Sequence, residues 1–195
     1  VALAVGLAAC SSGGARPVAT PRFFAAAPTA YLLTLDQLHI GGFTTAERAH
    51  ALGEQALSAG DAQLDTALRA AGMGGAATVR YFRQVSDLAT ANGFVDARST
   101  VVSFAAAGPA HRAYLAEVRH TDAVPGILPE STDALGDEAH ADQLTENGPG
   151  GVTLVEVTLV IRNANLVELL VIRGRQGGTG LADALVLGHT WLAAQ

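Results

Sequence analysis

Glu138, His140 and Asp142 are the residues of this 195-residue chain whose types and spacing most directly allow chemistry. They occupy alternate positions, so on a β-strand their side chains fall on one face. Two carboxylates and an imidazole on one face can hold a hard metal ion or pass a proton between acid and base. A strand face turned to solvent carries the same residue types with no site at all, and a metal would need a further ligand that the spacing does not identify. Of the six histidines, none falls into an HExxH or zinc-finger spacing.

Other candidates are thinner. Gly174 to Gly180 is glycine-rich and precedes a helical pattern, where backbone N–H groups can meet an anion. It has neither P-loop nor GxGxxG spacing, and the chain contains no lysine. There is no GxSxG, and Ser103 lies in a strand pattern without a partner base. Tyr81, Phe82, Phe104, Tyr114 and Trp191 either line an apolar pocket between sheet and helices or fill a core that is poor in large residues. A cavity below about 300 Å³ would exclude a small ligand.

These residues need elements to position them. Thr44-Thr45 followed by Glu47 predicts a helix over roughly 45–58, with Leu52, Gln55 and Ala56 on one face and Gly53 weakening it. Asp61 caps a second helix along Leu64, Leu68 and Ala71, and Gly72 stops it. Val79, Tyr81 and Val85 alternate as a strand over 77–85, and 98–105 is another. Pro109 opens a helix striped by Ala110, Tyr114, Leu115 and Val118, and 120–129 reads as a connector. Residues 135–144 read as a strand whose acidic face, bearing Glu138, His140 and Asp142, points to water. Residues 152–161 and 166–173 are strands joined by the tight turn Arg162-Asn163-Ala164-Asn165. The second of them is apolar on both faces, which predicts a central, covered position. Residues 181–194 close as a helix, while 31–38 fits either a strand or a short helical turn. The order predicts an α+β domain: an antiparallel sheet of about five strands with helices packed on one face.

Composition narrows the function. Eighteen acids against 12 arginines give a formal net charge of −6, with no basic cluster, which argues against nucleic-acid binding. Cys10 is the only cysteine, so the chain cannot close a disulfide within itself, and the domain must stand on its packing. No cofactor is indicated.

The segment Leu7-Ala8-Ala9-Cys10, behind a short apolar run and before Ser11-Ser12-Gly13-Gly14, resembles the end of a bacterial lipoprotein signal peptide. The apolar run is too short for a spanning helix, which needs about 20 residues. The resemblance implies that residues 1–9 are part of a signal peptide and that Cys10 becomes the lipidated first residue of the mature protein. Palmitate and its companion acyl chains would then anchor the protein in the membrane, since two or more chains hold where one does so only marginally. Residues 10–30, with Pro17, Pro21 and Pro28, read as the lipidated cysteine and its tether, and 31–195 as one domain.

Two further stretches carry a second resemblance. Leu32-Leu33-Thr34, followed by Asp36 and the Gly41-Gly42 turn, resembles the opening of envelope lipoproteins with a sensor-like domain. The succession of strand, Arg162-Asn163 turn, strand, glycine-rich loop and alanine-rich helix over 134–195 resembles the C-terminal part of sensor-like domains on actinobacterial lipoproteins and receptor-kinase ectodomains. The resemblance implies an extracytoplasmic domain with no catalytic residues to carry over. The favoured function is therefore a non-enzymatic, membrane-anchored domain that binds a lipid, a small apolar ligand or an envelope protein. Tyr81, Phe104, Tyr114 and Trp191 are its candidate pocket. The alternative is a metal-dependent or hydrolytic envelope enzyme using Glu138, His140 and Asp142.

Overall fold

A computed structural model describes residues 22–132 and 134–195. Its centre is one seven-stranded sheet. In chain order the elements are β1 (Phe43–Leu52), the single turn α1 (Glu54–Leu57), α2 (Ala62–Ala71), β2 (Met73–Arg83) and β3 (Asp96–Phe104). There follow α3 (Ala107–Asp122), β4 (Leu128–Glu130), β5 (Glu138–Asn147), β6 (Thr153–Asn163), β7 (Leu166–Arg175) and α4 (Leu181–Ala193). The strand order is β1-β2-β3-β7-β6-β5-β4, and every neighbouring pair is antiparallel. The expected α+β class and antiparallel sheet are therefore present, with two more strands than the apolar pattern revealed.

The central position predicted for the doubly apolar strand is that of β7, which pairs with β3 on one side and β6 on the other. Its Leu166, Leu170 and Ile172 enter one apolar cluster and its Val167 the other. The second cluster lies beneath two helices packed together: α2 supplies Leu64, Leu68 and Ala71, and α3 supplies Ala110, Ala113 and Tyr114. The opposite face is covered by α4, through Ala184, Leu187 and Trp191, and by the lead-in segment, through Phe24, Leu32, Leu33 and Leu38.

Local signals explain most boundaries. Asp61 caps α2, its Oδ1 accepting from the backbone N–H of Gln63 at 2.7 Å and of Leu64 at 3.0 Å. Gly72 ends the helix in the left-handed region at φ 70°. The turn between β6 and β7 tightens to Ala164-Asn165, because Asn163 already pairs with Leu166.

Residues 45–58 depart from their predicted helix. They form most of β1 and the turn of α1, because residues 43–52 pair with β2 along one edge of the sheet, with register irregularities between Thr45 and Glu47 and between Glu47 and His50. The predicted connector over 120–129 instead finishes α3 and starts the short edge strand β4. Of the two alternatives for residues 31–38, the short helical turn is the one present. Two 3-10 turns, Pro28–Tyr31 and Leu35–Gln37, carry them across the sheet. There Leu33 N–H donates to Ser99 Oγ at 3.1 Å, Tyr81 OH donates to Leu33 O at 2.9 Å, and Trp191 Nε1–H donates to Tyr31 O at 2.6 Å.

Candidate functional site

The helices α2 and α3 cover only part of their sheet face, and what they leave open is a groove. Its floor is β2, β3 and β7, whose Thr78, Thr100, Leu169 and Val171 point outward, and its wall is Leu52 of β1 with Leu57 of α1. This cavity holds about 330 Å³. A second cavity of about 200 Å³ continues it, sharing Arg98 and Val171 and adding Arg80, Asp96, Glu156 and Arg173.

The two parts differ in chemistry. The first mixes the aliphatic side chains of Leu52, Leu57, Leu169 and Val171 with Thr78, Thr100, Glu47 and Arg98. The second is charged, and most of its charges are matched. Arg80 Nε reaches both oxygens of Asp96, at 2.9 and 3.1 Å, and this contact raises the arginine's pKa. Arg173 pairs with Glu146. Burial pushes Glu156 above the usual carboxylate range. Arg98, exposed in the middle of a central strand, makes no ion pair among the described residues.

The predicted strand bearing Glu138, His140 and Asp142 exists as β5, and the three do share a face. That face does not point to water. It lies beneath α3, and Asp142 is fully buried. Glu138 turns away from the other two. It accepts from Arg162 Nε and meets His111 Nδ1 at 2.9 Å. Burial alone would raise its pKa, but the bonds from His111 and Arg162 outweigh this and hold it below the ordinary value. His140 Nε2 lies 3.0 Å from Asp142 Oδ1 and 3.1 Å from Asp122 Oδ1. Asp122 is the last residue of α3. The convergent set is therefore Asp122, His140 and Asp142, with one ligand atom from each lying within 4.8 Å of the others. No local spacing announces Asp122, because only the packing of α3 on the sheet brings it to β5.

Tyr81, Phe104, Tyr114 and Trp191 do not converge. Tyr81 and Trp191 are in the cluster under α4, whereas Phe104 and Tyr114 are in the cluster under α2 and α3, with the sheet between them. All four are buried packing residues. Tyr81 and Trp191 use their polar atoms to hold the lead-in segment, and burial raises the Tyr81 phenol so that it stays a donor. Cys10 and the predicted signal segment lie outside the described residues. Among the described residues no helix is long and apolar enough to cross a membrane.

Sheet, helices and groove together define an α+β domain with one sheet face half open. Searches by sequence matched no protein-family model and no curated protein. Among solved structures, the crystal structure of the extracellular domain of PknH from Mycobacterium tuberculosis is similar, with a TM-score of 0.56 over 85% of this chain and 93% of that one. Sequence identity is 10%, so the likeness is one of fold. The likeness supports the α+β fold expected from the sequence.

Proposed function

We propose that this chain is an extracytoplasmic binding domain, held at the cell membrane by acyl chains on Cys10, that takes a small amphiphilic anion in the groove beside α1 and α2. One observation carries the binding reading: Arg98, a cation on a central strand with no ion pair among the described residues, stands at the junction of a half-aliphatic cavity and a charged one. A carboxylate or phosphate head would pair with Arg98, and the apolar body would lie along Leu169, Val171, Leu52 and Leu57. The cavity of about 330 Å³ is in the range that small ligands occupy. The extracytoplasmic placement is supported by the fold likeness and by the lipoprotein-like sequence around Cys10.

Native mass spectrometry of protein purified from its host membranes tests the reading. The expected result is a small amphiphile bound to the wild type and absent from Arg98→Glu. No adduct, together with no heat on titrating dodecanoate into the protein, would reject the groove as its site. Cys10→Ala is expected to move the protein from the membrane to the soluble fraction, and unchanged membrane association would reject the acyl anchor.

A further inference from the structure

We propose that Asp122, His140 and Asp142 bind a divalent metal ion that ties the end of α3 to β5. The site is independent of the groove reading. Three observations point to a cation.

The first is an orphaned charge. Asp142 is fully buried, and among the described residues its Oδ1 meets only His140 and its Oδ2 has no hydrogen-bond partner. A buried carboxylate ordinarily has arginine or backbone N–H groups around it. Neither Asp142 nor Asp122 has an arginine partner among the described residues.

The second is the proton count. His140 Nε2 carries at most one hydrogen, yet it faces two carboxylate oxygens at 3.0 and 3.1 Å. One N–H cannot satisfy both contacts fully, whereas an ion placed among the three donor atoms meets every one of them.

The third is geometry. Tetrahedral metal–ligand bonds of about 2.1 Å, the usual Zn²⁺ geometry, place neighbouring donor atoms about 3.4 Å apart. The separations from Nε2 to the two carboxylates, 3.0 and 3.1 Å, are slightly shorter, and all three donor atoms lie within 4.8 Å of one another, so a small outward adjustment of the side chains would admit an ion. Both donors of β5 sit on a paired strand, and Asp122 sits in the last turn of a sixteen-residue helix, whose C-terminal dipole also favours a positive charge. One imidazole and two carboxylates suit a first-row ion such as Zn²⁺ better than Mg²⁺, which favours oxygen donors alone. Water or an incoming group would fill the remaining positions.

The register gives the site a neighbour. Asp142 pairs with Thr158, Thr158 with Val171, and Val171 with Arg98. The cluster and Arg98 of the groove thus share one row of the same sheet face, three strands apart, or about 14 Å at the usual strand spacing.

Isothermal titration of ZnCl₂ into untagged, EDTA-treated full-length protein is the test. The expected result is one saturable equivalent, with a rise in melting temperature that EDTA reverses. Asp122→Asn replaces a ligand at the helix end without opening the core and should weaken binding at least about tenfold, as even an outer-shell change commonly does. His140→Ala should abolish binding, while His111→Ala, which changes only the Glu138 contact, should leave it intact. No saturable Zn²⁺ binding by the wild type, or equal binding by wild type and Asp122→Asn, would overturn the proposal and leave the cluster as an ion pair.

Discussion

Asn165 holds Phe24 by both sides of its backbone: its Oδ1 accepts from the Phe24 N–H at 2.8 Å, and its Nδ2 donates to Phe24 O at 3.0 Å. The same Nδ2 also donates to Phe104 O at 3.0 Å. A single side chain in the β6–β7 turn therefore joins the lead-in segment, the central hairpin and the end of β3. Arg22 lies 4.6 Å over the Phe24 ring, and Tyr31 meets that ring edge-on, closing the joint.

Asn165→Ala should therefore destabilise the fold by about 3 kcal/mol, since it strands three buried backbone groups at once. Equilibrium urea denaturation measures this. Limited proteolysis should also show faster cutting within residues 25–38 of the variant. A loss below about 0.5 kcal/mol, the size of an ordinary surface substitution, would mean the joint contributes nothing.

Glu168 and Glu117 make stability depend on pH in an unusual direction. Glu168 is buried in β7 with neither oxygen hydrogen-bonded in normal geometry, and burial pushes it up to about 7 against the weaker opposing pull of Gln195 and Arg22. Glu117, inside α3, is pushed up to about 7 by burial and then by the charge of Asp61. In the unfolded chain both titrate near 4.5. A raised acid holds its proton longer when folded, so the stability each contributes is complete below about 4.5 and is lost as pH rises to about 7. Glu168→Gln should then gain on the wild type by up to about 3 kcal/mol between pH 4.5 and 8, because glutamine has no proton to lose. Urea curves at the two pH values test this, and a constant difference between variant and wild type would refute it.

Gly136→Ala should be costly for a local reason. Gly136 has φ 60°, and a Cβ there would stand 2.6 Å from the backbone oxygen of Arg162. Backbone strain and the clash together should cost more than about 2 kcal/mol. Thermal unfolding measures it, with Gly108→Ala as the control, since a Cβ at Gly108 meets nothing within 4 Å.

The sequence disclosed those parts of the fold whose burial is one-sided or complete. Leu166 to Ile172, apolar on both faces, marked the middle of the sheet, and Asp61 with Gly72 bracketed α2. It hid β1, because residues 44–51 are exposed throughout, so no alternation of apolar and polar positions survives for a strand to show. The capping signature of Thr44, Thr45 and Glu47 then pointed to a helix that the ladder to β2 overrides. It hid β4 because three residues containing Pro129 lie at an edge. Two of the three residues of the metal-like cluster are legible, since His140 and Asp142 alternate on one strand. Glu138 shares that spacing but is taken by Arg162, and Asp122 enters only through tertiary packing. The signal for Arg98 is faint: it is the one exposed residue of a strand that is otherwise buried or half-buried, and Asp96, Ser99, Thr100 and Ser103 make that strand read as mixed in polarity.

The pairing of β3 with β7 also bears on how the chain is made. β1, β2 and β3 form a meander that is complete early in synthesis, whereas the partner of β3 emerges only after α3 and three further strands. Until then β3, with Val101, Val102 and Phe104, presents an open and strongly apolar edge, the kind on which nascent chains pair wrongly. The last strand synthesised thus seals the most exposed one, and a chain interrupted before β7 would be the species most in need of a chaperone.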